Sequence, residues 1–214
     1  MTPDVTAQLL AAFVTLMVVI DPVGIAPLFG TLTRSHPELE RRQIALRAVL
    51  VAGGVLFFFA LMGRPTLAFM GISLPAFRIA GGVLLLLLSI DMVMARQSGL
   101  RTTTPRENEE AGNREDPSVF PLGIPLIAGP GAMTSVVLLW SNAGGNWVIQ
   151  GGILIELVVV LVSTLIAFRL ADRMMKLLGV TGVNVVTRVL GILLAALSVQ
   201  FMIDGGLQVW RALA

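Results

Sequence analysis

Apolar residues run along this chain in blocks of about twenty, separated by short segments rich in arginine, glycine and proline. A bilayer core of roughly 30 Å needs about 20 residues of helix. Six blocks meet that length, near 8–30, 44–63, 73–94, 119–140, 147–168 and 183–207. "GGVLFFFALM" (53–62) and "VLLLLL" (83–88) are apolar on every face, as suits helices surrounded by lipid. Two shorter apolar pieces, "PTLAFMGISLP" (65–75) and "MMKLLGVTGVN" (174–184), precede the third and sixth blocks. Joined to those blocks, each would make a helix too long for a bilayer. They are expected to be interfacial or re-entrant half-helices that turn at Gly71–Pro75 and Gly179–Gly182, with protein or water covering the turn. The stretch 96–118, "RQSGLRTTTPRENEEAGNREDPS", is polar and reads as a solvated loop.

Composition supports the count of spans. The 214 residues are 56% hydrophobic and 13% charged, where a soluble domain has about 25% charged residues. A multi-pass membrane protein is expected. The net charge of +2 is small and the basic residues are spread over loops, so nucleic acid is not an expected partner. With no cysteine and a single histidine, His36 in a polar loop, thiolate metal sites, zinc hydrolysis and a His-based triad lack their parts. Neither a metal nor a cofactor is expected. "MTPDVTAQLL" lacks the basic n-region and cleavage site of a removable signal, so the first block is expected to remain in the mature protein.

Cytoplasmic loops carry an excess of Lys and Arg. The segment after block one holds Arg34, Arg41, Arg42 and Arg47. The segment after block three holds Arg96, Arg101, Arg106 and Arg114, and the one after block five holds Arg169, Arg173 and Lys176. The opposite side has Arg64 and Arg211, with Trp140, Trp147 and Trp210 as interfacial anchors. This asymmetry predicts both termini outside and the arginine-rich loops inside.

The two halves resemble each other. "DPVG" (21–24) lies over "GPGA" (129–132) and "GIS" (71–73) over "GVT" (179–181), both at an offset of 108 residues. "RIAGGVLLL" (78–86) lies over "RVLGILLAA" (188–196) at 110. Three spans per half is an odd number, so the second half enters the membrane from the other side. The expected fold is all-α, with six transmembrane helices as two inverted three-helix repeats and discontinuous helices one and four. Residues 1–95 form the first repeat, 96–118 a cytoplasmic loop and 119–214 the second repeat. This is a frequent plan for secondary transporters.

The discontinuities are the candidate site. Asp21 falls about 18 Å into the first span, near the midplane, and Pro130 lies at a similar depth in the fourth. Proline removes a backbone donor and disrupts the preceding turn. Asp21, Pro22, Gly24 and Pro27 should unwind one helix, and Pro125, Gly129, Pro130 and Gly131 the other. Each break presents amide N–H groups that suit a carboxylate. The competing reading is a structural kink, with Asp21 as N-cap and Pro22 as first residue of a restarted helix.

These stretches carry a family resemblance. "DPVGIAPLF", "PLGIPLIAGPGAM" (121–133), "GISLPAFRIAGG" (71–82), "NVVTRVLG" (184–191) and "QFMIDG" (200–205) resemble the MarC family, also called small neutral amino-acid transporters. The resemblance covers nearly the whole chain. It implies a six-span protein of the bacterial inner membrane, related to lysine-exporter-like carriers, in which some members move glycine, alanine and similar amino acids with proton coupling.

An ionisable group at the bilayer centre costs at least about 2.5–3.5 kcal/mol on insertion scales. Asp21 is the leading candidate for proton coupling, because burial raises a carboxyl pKa. Glu156, in the fifth span, is a second candidate or a partner for Arg188. Arg78 and Arg188 occupy matched positions and are expected to bind a substrate carboxylate or to pair with Asp21 and Glu156, rather than only to snorkel. The resulting expectation is a secondary transporter of small neutral solutes, not an enzyme, in contact with lipid and a small-molecule substrate. No phosphate loop is present, so energy is expected from a gradient or from a separate subunit. A non-transporting assembly or regulatory protein and a small-solute channel are the alternatives.

Overall fold

In a computed structural model, residues 4–95 and 116–213 are described, and they form helices joined by short turns. Most of the loop 96–118 therefore lies outside the described residues. The helices are α1 (Val5–Ile20), α2 (Pro22–Leu32), α3 (Glu38–Phe69), α4 (Leu74–Met94), α5 (Ser118–Ile127), α6 (Pro130–Asn142), α7 (Trp147–Arg169) and α8 (Ala171–Leu213). Five stretches are long and apolar enough to cross a membrane, α1 and α2 together making one of them. The α5–α6 pair, bent by 55°, makes a sixth.

Local sequence sets the ends. Ser73 caps α4 by accepting the Ala76 N–H, and Asn146 caps α7 by accepting the N–H groups of Val148 and Ile149. Glu38 and Glu40 lie in the first turn of α3, where the helix dipole favours negative charge. The half-helix expected over 65–75 does not exist as a separate element. Pro65 costs α3 one backbone bond, and the helix continues to Phe69 before turning at Gly71, whose φ is 71°. The other expected turn is a kink inside α8 at Gly179 (φ 62°, ψ −179°), after which the helix resumes at Val180.

Helix packing follows a paired scheme. α1 packs on α7, and α5 packs on α3; α2 also contacts α7, and α6 also contacts α3. α2 lies against α8 as α6 lies against α4, and α4 and α8 share the most extensive contact. That last seam is antiparallel. A Cβ on Gly82 would stand 2.7 Å from the Ser198 carbonyl, and one on Gly191 would stand 3.2 Å from the Ser89 carbonyl. Both serines are fully buried, and each donates its hydroxyl to the carbonyl three residues earlier, at 2.7 Å. The two glycines and the two serines are each 109 residues apart. The core is filled by Leu16, Ile25, Leu56, Leu85, Leu122 and Leu194, while Phe58, Ile155 and Ile192 point outward, as a lipid-facing surface requires.

Candidate functional site

The first break is built on Asp21, which is fully buried. Its backbone sits in the left-handed region (φ 51°, ψ 66°), a conformation that aspartate tolerates better than most residues. Pro22 disfavours the α conformation at residue 21 and supplies a preset φ for the first residue of α2. The Asp21 N–H ends α1 by donating to the Met17 carbonyl at 3.0 Å. Its Oδ1 starts α2 by accepting the Gly24 N–H at 3.0 Å. Asp21 is thus the N-cap that the kink reading describes.

The second break has no such carboxylate. Phe120 and Ile124 are extended, as residues before proline tend to be, and wide-turn bonds run from Leu122 N–H to the Pro117 carbonyl (3.3 Å) and from Ala128 N–H to the Gly123 carbonyl (3.0 Å). α6 then begins at Pro130 with Gly129 as its N-cap and no side-chain cap bond. Pro125, Gly129, Pro130 and Gly131 line one cavity with Val19 and Leu88. Its volume of ≈ 20 Å³ holds about one water molecule. Gly131 brings this break to the first one, since a Cβ there would stand 3.5 Å from Val19, two residues before Asp21. Gly24 and Pro27 lie inside α2, which runs unbroken from Pro22 to Leu32, so the unwinding expected over 21–27 is corrected to a single break at Asp21.

The charged candidates are distributed differently from expectation. Arg78 is buried and donates to Asn142 Oδ1, and the Asp204 carboxylate also attracts it. It does not pair with Asp21. Leu85, whose side chain faces Gly131, is seven residues along α4, so Arg78 stands about 10 Å further toward the end of the helix. Arg188 is exposed on α8 and forms no ion pair among the described residues, so the expected pairing with Glu156 is corrected. Glu156 keeps one buried carboxylate oxygen, Oε2, without a hydrogen-bond partner.

A second feature is absent from the pattern reading, which treats Arg41 only as loop charge. At the end of the bundle that joins α2 to α3 and α7 to α8, Arg41 grips Asp172 with two bonds of 2.8 and 3.1 Å. Its Nε donates to Thr33 Oγ1 at 3.2 Å, and its guanidinium lies 6.0 Å from the centre of the Phe29 ring. Phe29 stacks on Phe168 with centroids 4.4 Å apart. A vestibule of ≈ 420 Å³ is lined by Phe29, Phe168, Arg41 and Asp172 together with Glu38, Arg42, Ala45 and Arg169. Asp172 precedes the Gly179 kink and lies outside the span. Its bond to Arg41 holds its carboxyl below the usual carboxylate range and raises Arg41 in turn. Residues 131 positions apart give no pairing signal in a single sequence.

These features define a multi-pass α-helical integral membrane protein. The chain belongs to the MarC family: the family model, described as MarC family integral membrane protein, matches residues 6–210. A UPF0056 membrane protein of Methanocaldococcus jannaschii is 37% identical over 91% of this chain and 93% of the relative. The UPF0056 membrane protein YhcE of Escherichia coli is 32% identical over 90% and 89%. YvbG of Bacillus subtilis is 32% identical over 92% of each. No solved structure matches.

Proposed function

We propose that this protein is a proton-coupled secondary transporter of small neutral solutes, first among them amino acids such as glycine and alanine. It works without enzymatic chemistry, in the bacterial inner membrane with both termini outside. The solute binds at mid-membrane between the α1–α2 and α5–α6 breaks. One observation carries the reading. The α2 N-terminus is occupied by the protein's own carboxylate, Asp21, whereas the corresponding start of α6 has Gly129 and a small cavity beside it. A solute carboxylate can take at α6 the place that Asp21 takes at α2, where free amide N–H groups and the helix dipole favour an anion. The reciprocal seating of Gly82 on Ser198 and Gly191 on Ser89 supports the inverted repeat that this reading needs. Asp21 and Glu156 are the proposed proton carriers. Pro22, Gly24, Pro125, Pro130 and Gly131 shape the breaks, and Pro27 lies within α2. Arg78 and Arg188 act at the ends of the pathway rather than on the bound solute.

The test is uptake of labelled glycine and alanine into proteoliposomes, with and without an inward proton gradient, beside the Asp21→Asn protein. Gradient-stimulated uptake that Asp21→Asn abolishes is the expected result. No uptake of either amino acid by folded protein, in either gradient direction, overturns it.

A further inference from the structure

The stacked rings of Phe29 and Phe168 form the floor of the vestibule, and both are almost fully buried. On α2, Ala26 and Ile25 follow beneath Phe29, fully buried, and Pro22 lies seven residues, about 10 Å, below it. The ring pair therefore stands between the vestibule and the first break. What holds it is the Arg41 side chain, bonded to Thr33 at the end of α2 and to Asp172 at the start of α8 while lying over Phe29. The opposite end of the bundle is built in another way. There α6 packs directly onto glycines, with Val137 against Gly63 and Thr134 against Gly81. Glycine-packed helices separate only if the helices themselves move. A stacked ring pair opens by side-chain rotation once its latch lets go. The latch is weak by design, because Asp172 is 64% exposed and an exposed ion pair is screened by salt.

We infer that the vestibule is a second solute site, an antechamber for small zwitterions, and that the Phe29–Phe168 pair, latched by Arg41–Asp172, is the gate between it and the mid-membrane breaks. This rests on the transport reading above. The lining carries both signs, in Arg169 and in the Arg42–Glu38 ion pair (2.5 Å), whose members exchange each other for the carboxylate and ammonium of the solute. A zwitterion can thus exchange with the latch partners as they separate, which a simple anion or cation cannot do on both sides.

The chain has no cysteine, so single cysteines report accessibility without background. Ala26→Cys would report on the space below the gate and Ala45→Cys on the vestibule wall. Both are labelled with a membrane-impermeant maleimide from the vestibule side of sealed vesicles, after gel filtration shows each variant to be monodisperse. Labelling of Ala26→Cys should rise about tenfold in the Asp172→Asn and Phe29→Ala backgrounds. It should fall back toward the parent rate in the Arg41→Asp/Asp172→Arg exchange. Glycine should slow labelling of Ala45→Cys, while methylamine and acetate should not. Equal labelling of Ala26→Cys in all backgrounds, with amino-acid uptake intact, overturns the gate alone. Equal slowing of Ala45→Cys by all three solutes, or by none, overturns the zwitterion site. Latch-dependent labelling in a protein that takes up no amino acid keeps the gate and overturns the transport reading instead.

Discussion

Asp21 and Gly24 form one unit: the Asp21 carboxylate lies so close over Gly24 that a methyl group at position 24 would collide with it. Asp21→Ala should cost about 1 kcal/mol through loss of the cap. Gly24→Ala should cost about 1–3 kcal/mol through overpacking. Asp21→Asn should melt near the parent temperature, since asparagine caps as well as aspartate. Thermal unfolding in detergent reads all three. An Asn variant that is stable yet has lost gradient-driven uptake separates the cap from the proton carrier. An Asn variant as unstable as Ala would show that the negative charge itself holds the break together.

The α4–α8 seam makes a paired prediction. Gly82→Ala and Gly191→Ala should each lower stability by about 1–3 kcal/mol, because the new methyl meets a backbone carbonyl that cannot move aside. Gly54→Ala and Gly206→Ala, where nothing stands within 4 Å, should be neutral or stabilising by about 0.5–1 kcal/mol. A melting series in which one seam glycine tolerates alanine and the other does not would contradict their reciprocal seating.

The Arg41–Asp172 pair has a defined pH signature. The Asp172 carboxyl titrates below its unfolded value of 3.8 when folded, through its bond to Arg41. Its stabilisation is therefore complete above that value and fades as pH falls below it. Because the Asp172 side chain is 64% exposed, the pair is worth at most about 1 kcal/mol. Asp172→Asn should melt a few degrees below the parent at pH 7 and alongside it at acid pH, and high salt should narrow the gap as well. A gap independent of both pH and salt would mean that the effect is packing, not charge.

Glu156 offers a trade between stability and function. A carboxylate in a span with a buried oxygen lacking a partner is costly, roughly 2.5–3.5 kcal/mol at the bilayer centre on insertion scales. Glu156→Leu should raise the melting temperature. If Glu156 carries protons, the same change should abolish the response of uptake to a proton gradient. Lower stability in Glu156→Leu would show that the carboxylate has a structural partner.

A competitor series tests the carboxylate site at α6. A charge-assisted hydrogen bond contributes about 1.5–3 kcal/mol, or roughly 10–100-fold in affinity. Unlabelled alanine should displace labelled glycine in proteoliposomes, and glycinamide should do so at least tenfold less well. Equal competition by both would place recognition elsewhere than at the helix N-terminus.

The sequence by itself determined the six apolar stretches, because each must span the bilayer and satisfy its backbone internally, whatever its neighbours. It also marked Asp21–Pro22 and Gly129–Pro130 as helix boundaries, but not the continuity of α2 through Gly24 and Pro27. Asp21–Pro22 and Gly129–Pro130 act within a turn of themselves, through proline's missing donor and the cap it permits. The kink at Gly179 was legible because glycine alone takes a positive φ without strain, while Pro65 was misread, because one lost bond in a long helix does not end it.

Only the tertiary structure decided the partners. Arg78 meets Asn142, Arg188 stays exposed, and Arg41 meets Asp172 across 131 residues. Within one sequence every arginine offers the same charge and reach. Which carboxylate or amide it finds depends on the helix ends that packing brings together. The packing itself hangs on close approaches such as Gly82 to Ser198, where the absence of a side chain has meaning only once the opposing helix is in place.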